Sequence, residues 1–73
     1  MPETRKVGDY MVAEKIQGDV WTILDSDNEV MGSVIKGLDM WTFFSECSAV
    51  FNAPNLRASA DFLDELNEEK DHA

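Results

Sequence analysis

Negative charge constrains the folding of this chain more than any other feature of its sequence. The 73 residues include 15 Asp and Glu against 6 Lys and Arg, a formal net charge of -9 at pH 7, and the acids are densest near the C-terminus. Charge of this size destabilises a compact state through self-repulsion. It also disfavours binding to nucleic acid or to an anionic membrane surface, and it favours a basic protein partner.

The composition nevertheless predicts a folded protein. Hydrophobic residues make up 44% of the chain and aromatic residues 10%, well above the share typical of charged disordered sequences. A chain of this length can enclose one hydrophobic core, so we expect one domain. Because a domain this small buries only about 60% of the surface of its unfolded chain, dimerisation or partner binding would add stability.

Cysteine and histidine usage argues against the usual cross-links of small domains. Cys47 and His72 are the only residues of their types, so we expect neither an intramolecular disulfide nor a structural zinc site. The first residues are not followed by the apolar stretch of a signal peptide, and no run has the length of a membrane span. We therefore expect a cytoplasmic protein with a reduced thiol and with no cofactor.

Hydrophobic patterning predicts three strands in the first half of the chain. Residues 10–16 alternate, residues 20–24 are β-branched and aromatic, and residues 30–35 resume the strand pattern after a polar turn. Gly32, inside the third of these runs, indicates a β-bulge or close packing against a large side chain such as Trp21.

Two helices are predicted after residue 37. Apolar residues between Met40 and Phe51 recur at steps of three and four behind a potential N-cap at Asp39, so we expect a helix over 39–51. Pro54 suits the first turn of a second helix, which is expected over 54–68. The buried stripe of this second helix is predicted to comprise Leu56, Ala60, Leu63 and Leu66 or Asn67, with Phe62 beside it.

These elements together predict an α+β fold. We expect a three-stranded antiparallel β-meander followed by two α-helices packed on one face. The domain is expected to cover residues 10–68, between a flexible N-terminal arm over 1–9 and a flexible acidic tail over 69–73.

The second predicted helix carries an acidic outer face, for which we predict partner binding. Acids near a helix C-terminus oppose the negative pole of its dipole, and acids one turn apart repel each other by about 0.2–0.5 kcal/mol. A sequence selected for stability alone would place Lys there. The alternative is a solvated face that serves only solubility. The predicted partner-binding residues are Asp61, Asp64, Glu65 and Glu68, with Trp41 as an apolar anchor.

The remaining motifs predict neither an enzyme nor a metal site. Residues 25–29 carry acids at alternate positions, as the start of a calcium loop does, but Val30 and Lys36 stand where an EF-hand needs Gly and Glu. Cys47 is expected to be a buried, inert thiol on the first helix, and no serine has a credible base. We therefore expect a non-enzymatic protein.

Two functions follow from these observations. The first is an inhibitor or modulator that presents its negative helix face to a basic partner, in its sharpest form a DNA mimic of the kind that viruses and mobile elements encode. The second is a structural or accessory homodimer with residues 40–44 as its seam. Salt separates the two, because it weakens binding through charge and leaves an apolar dimer unchanged or strengthened.

Overall fold

A five-stranded antiparallel sheet, covered on one face by a single helix, makes up the computed structural model of residues 3–70. Each strand pairs with the next along the chain, in the sheet order β1-β2-β3-β4-β5. The protein is therefore an α+β meander. The elements are β1 (Thr4–Val7), β2 (Met11–Gln17), β3 (Val20–Leu24), β4 (Val30–Lys36), β5 (Trp41–Ser45) and α1 (Ala53–Lys70).

The predicted fold class is wrong in its number of strands and helices. Residues 3–70 form five strands and one helix, not three strands and two helices. The segment predicted to be the first helix contains β5, which pairs antiparallel with β4. Its bulky side chains alternate, with Trp41 buried and Phe43 half-buried while Thr42 and Phe44 are exposed. That two-residue period is the period of a strand.

The first strand forms within the segment predicted to be a flexible arm. Residues Thr4–Val7 pair antiparallel with β2, and the backbone N–H of Lys15 donates to the carbonyl oxygen of Glu3 at 2.8 Å. Val7 is the one buried hydrophobic residue of β1, so hydropathy alone did not predict the strand. Residues 1–2 of the predicted arm and 71–73 of the predicted tail lie outside the described residues.

The core lies between α1 and one face of the sheet. Trp21 is 1% exposed, and its ring meets Phe62 of α1 edge to face, with 5.4 Å between the ring centroids. Such edge-to-face pairs add about 0.5–1.5 kcal/mol beyond the burial of their area. The buried hydrophobic residues are Val7, Met11, Ala13, Trp21, Ile23, Met31, Val34, Trp41, Phe62 and Leu66.

The helix predicted over 54–68 is present as α1, but it is rotated relative to the predicted stripe. Its most buried side chains are Ser59, Phe62 and Leu66, whereas Leu56 and Ala60 are exposed. Residues 59, 62 and 66 follow the helical period as well as the predicted set does. Contact with the sheet therefore decides which face of α1 is buried.

Gly32 lies at an irregular part of the sheet, as its position in the sequence predicted. The register between β3 and β4 shifts near the end of β3. A Cβ atom on Gly32 would lie 2.6 Å from the carbonyl oxygen of Phe44 and 2.7 Å from the ring of Phe43. The large side chain that packs on Gly32 is thus Phe43 rather than Trp21.

Candidate protein-interaction surfaces

The four acids predicted to bind a partner are all solvent-exposed on α1. At 100° per residue, Asp61, Asp64 and Glu68 fall within a sector of about 60° on one side of the helix. We call these three residues the acidic stripe. Within the described residues, no hydrogen bond or ion pair joins their carboxylates to another side chain.

Arg5 neutralises the acids on the adjoining side of α1. From β1, its guanidinium donates to Glu65, with 3.1 Å between Nη1 and Oε1, and to Glu69, with 3.0 Å between Nη2 and Oε1. Hydrogen bonding to Glu69 raises the pKa of Arg5 despite partial desolvation. Glu65, a predicted contact residue, is therefore already engaged within the molecule.

Two cations on the covered face of the sheet also lie against Trp21. The guanidinium carbon of Arg5 is 5.2 Å from the ring centroid, and the Nζ of Lys15 is 5.7 Å from it. Cation–π contacts at partly exposed sites contribute about 0.5–1 kcal/mol each. These cations therefore stabilise the margin of the core. Among the described residues, none of the ion pairs that they form includes a residue of the acidic stripe.

Trp41, the predicted anchor, presents little surface to a partner. It is 9% exposed and belongs to the core, and its backbone N–H donates to the Oδ1 of Asn67 at 2.8 Å. Its neighbours Met40 and Phe44 are 58% and 55% exposed. Because side chains alternate along β5, the bulky residues of 40–44 are divided between both sides of the sheet.

The sheet face opposite α1 carries exposed apolar side chains. Residues paired directly across neighbouring strands point to the same face, and the register places Val12 opposite Leu24 and Leu24 opposite Val30. Val12 is 41%, Val30 44% and Ile35 39% exposed. We call this surface the open face. By alternation and register it comprises Thr4, Lys6, Val12, Glu14, Val20, Thr22, Leu24, Val30, Ser33, Ile35, Thr42 and Phe44.

Sequence reasoning missed the open face, although a signal for it was present. An antiparallel sheet with one covered face normally alternates apolar and polar residues. In β3, however, apolar residues occupy both alternating sets of positions. Trp21 and Ile23 point to the core, and Val20 and Leu24 point to the open face. Apolar residues at both sets of positions indicate a strand that also contributes apolar side chains to a second surface.

The polar cluster at residues 25–29 serves a hairpin turn. The Oδ1 of Asp25 accepts hydrogen bonds from the backbone N–H groups of Asp27 at 2.8 Å and Glu29 at 3.0 Å, and Asn28 has a positive φ of 64°. This is the local bonding typical of an Asx turn. Within residues 3–70, no group of three or more His, Cys, Asp and Glu side chains is placed to hold a metal ion.

The potential nucleophiles are distributed differently from the prediction. Cys47 is exposed in the segment after β5, not buried on a helix, because the helix predicted there does not form. Ser59 is buried on α1, and its Oγ has no hydrogen-bond partner within the described residues. The only histidine, His72, lies outside the described residues.

Two open clefts border Tyr10 at one end of the sheet. One, of about 330 Å³, lies between the β1–β2 turn and α1, and the other, of about 480 Å³, lies between the β3–β4 turn and the segment before α1. The first is lined by groups of both signs, among them Lys6, Arg57 and Asp61. This mixed lining does not select a ligand of one charge.

Comparisons with known proteins found no match to this chain among family models, curated proteins or solved structures. Among the described residues, no helix combines the length and the apolar character needed to cross a membrane. The candidate interaction sites of the molecule are thus its two surfaces, the acidic stripe and the open face.

Proposed function

We propose that this protein is a small, non-enzymatic binding module that presents its acidic stripe to a basic partner protein. The observation that supports this proposal is that no described cationic side chain neutralises Asp61, Asp64 or Glu68. All three are exposed and have no ion pair with a described side chain. Arg5 pairs instead with two acids of the adjoining side.

The acidic stripe is unfavourable for the helix that carries it. Glu68 lies in the last turn of the 18-residue α1, where negative charge opposes the helix dipole. Asp61 with Asp64, and Asp64 with Glu68, are also spaced for repulsion of about 0.2–0.5 kcal/mol each. Basic residues at these positions would remove both effects, so attraction of a cationic partner gives a physical reason for the acids.

The sharpest form of the proposal is that the partner binds nucleic acid and that this protein inhibits it by occupying the basic groove. One helical turn rises about 5.4 Å, so α1 arranges its carboxylates along a line, as a nucleic-acid strand arranges its phosphates. Competition tests this form: added protein should release a labelled duplex from the purified partner. A ternary complex of protein, partner and duplex would contradict inhibition and leave the binding module intact.

The exposed, unpaired thiol of Cys47 supports a reducing setting for this function. Disulfides form and persist in oxidising compartments, where an exposed free thiol is readily oxidised. We therefore place the proposed module in the cytoplasm.

Charge reversal of the acidic stripe tests the proposed function. The variant Asp61→Lys, Asp64→Lys, Glu68→Lys should lose its basic partner, because the attraction becomes repulsion. The measurement is capture from host lysate on immobilised wild type and variants at low salt, elution with a salt gradient, and titration of the purified partner. We expect at least about a tenfold loss of affinity, equivalent to about 1.4 kcal/mol.

A matched control separates the acidic stripe from net charge. Asp19→Lys, Asp27→Lys, Glu46→Lys changes the charge by the same amount at exposed positions in turns, and it should retain the partner. Equal loss in both triple variants would show that only net charge matters. A partner retained by the stripe variant would contradict the proposal.

A further inference from the structure

We infer that the open face is a self-association surface on which a second copy of this chain packs sheet against sheet. Its apolar side chains form two rows that cross the strands, one on each side of a row that contains Glu14, Thr22 and Ser33. Val12, Leu24 and Val30 form one row across β2, β3 and β4. Val20 and Ile35 lie in another row, across β3 and β4.

The apolar side chains of the open face are exposed to solvent. Ile35, Val12 and Val30 are between 39% and 44% exposed, and Phe44 of the neighbouring β5 is 55% exposed. In an antiparallel sheet with one face on the core, the other face is usually polar. Apolar side chains gathered in this way on one face, rather than scattered singly, are typical of an interaction site.

Charge on the open face favours a second copy over a basic partner. Lys6 and Glu14 are its charged residues and cancel each other, while the acids that would attract cations lie on α1 and in the turns between strands. In a two-fold dimer, each residue's contact occurs twice, so Lys6 of each copy can face Glu14 of the other. The face is thus self-complementary in polarity and in charge.

The area of the open face is near the minimum that a specific dimer needs. Strands about 4.8 Å apart, rising about 3.3 Å per residue, give five strands of this length a face of roughly 24 by 20 Å, about 480 Å². This is about a tenth of the 5105 Å² accessible surface. A specific interface buries at least about 1,000 Å² in total, or about 500 Å² on each copy. We therefore expect a reversible dimer whose population depends on concentration.

The inferred dimer is independent of the proposed function, and salt distinguishes them. Because α1 lies on the other side of the sheet, a sheet-to-sheet dimer leaves both acidic stripes on its outer surfaces. Each copy carries a net charge of -9, so salt should strengthen the dimer by screening repulsion and by promoting apolar burial. The same salt should weaken binding of a basic partner to the stripe.

Sedimentation equilibrium of wild type, Ile35→Glu and Leu56→Glu tests the inference. Both substitutions replace a partly exposed apolar side chain by an acid, but Ile35 lies on the open face and Leu56 on α1. Between about 5 and about 500 µM, the range of weak to moderate association, wild type and Leu56→Glu should shift toward twice the monomer mass. Ile35→Glu should remain a monomer with an unchanged far-ultraviolet circular dichroism spectrum.

Three outcomes would overturn the inference. Wild type that stays monomeric over this range, including in sodium sulfate, would leave the open face to another occupant. An Ile35→Glu variant that dimerises like wild type would place the interface elsewhere, and a dimer that dissociates in sulfate would be held by charge instead of apolar contact. If Ile35→Glu fails to fold, Val12→Glu on β2 provides the same comparison from the open face.

Discussion

The two faces of the sheet are built from the same strands, yet only one of them is covered. Val34 and Ile35 are neighbours in β4, but Val34 is 0% exposed under α1 and Ile35 is 39% exposed on the open face. In β2, Ala13 is 0% and Val12 41% exposed. The faces therefore differ first in which one α1 packs against. Both carry apolar side chains, but on the open face these are interspersed with polar residues such as Glu14 and Thr22.

The comparison also shows how this chain places its charges. Arg5 and Lys15 point to the covered face, where they border Trp21 and where Arg5 pairs with acids of α1. Long basic side chains commonly extend past an apolar core in this way. On the open face the charged residues are Lys6 and Glu14, and neither has an ion pair with a described side chain. On the covered face, burial under α1 and the two cations stabilise the core. The open face keeps apolar side chains available for contact.

Truncation of one aromatic side chain on each face should give the largest difference. Trp21→Ala removes a fully buried indole and its edge contact with Phe62, which should cost about 3–5 kcal/mol. Phe44→Ala removes a ring that is 55% exposed on the open face and should cost less than about 1.5 kcal/mol. Urea denaturation followed by circular dichroism measures both.

Dilution controls this comparison, since Phe44 would be covered in the inferred dimer. The two variants are compared at concentrations where sedimentation shows monomers. A loss for Phe44→Ala equal to that for Trp21→Ala would mean that the open face is part of the monomer core. That result would remove the distinction between the faces.

An added methyl group should show a smaller difference between Gly32 in β4 and Gly18 in the β2–β3 turn. Gly32→Ala would place its Cβ 2.6 Å from the carbonyl oxygen of Phe44 and 2.7 Å from the ring of Phe43, so β5 would have to shift, at about 1–3 kcal/mol. Gly18 has open space around the position of a Cβ. Gly18→Ala should therefore change the free energy of unfolding by less than about 1 kcal/mol. Equal thermal midpoints for the two variants would contradict the close packing at Gly32.

The sequence predicted the middle of the sheet and the helix well, because β-branched and aromatic runs bounded by turn residues mark the strands and Pro54 marks the first turn of the helix. The strands expected at 10–16, 20–24 and 30–35 are observed at 11–17, 20–24 and 30–36, and the helix expected at 54–68 is observed at Ala53–Lys70. In each of these segments, local propensity and apolar spacing agree.

The two missed strands depend on contacts that no local pattern contains. Residues 40–51 contain apolar spacings of three and four, but β5 is fixed by pairing with β4, by the Asn67 bond to Trp41 and by Phe43 packing edge to face on Phe51. β1 is polar and is held by backbone pairing with β2. The open face escaped prediction for the same reason. Without β1 and β5 in the predicted sheet, the sequence does not show how many strand positions the helix covers and how many it leaves exposed.

Removal of one positive charge from either side of β1 should show the smallest difference between the faces. Arg5→Met loses the ion pairs with Glu65 and Glu69 and the cation over Trp21, but the side chain is partly exposed, so the expected loss is about 1 kcal/mol. Lys6→Met makes the same charge change on the open face and should cost less than about 0.5 kcal/mol.

Urea titration of dilute samples measures the unfolding free energy of both variants. Repetition at about 1 M NaCl should reduce the difference between them because salt screens the ion pairs. If salt leaves the difference in unfolding free energy between the two variants unchanged, Arg5 stabilises the protein by packing on Trp21 rather than through its ion pairs. A larger loss for Lys6→Met than for Arg5→Met would contradict the conclusion that the stabilising cations lie on the covered face.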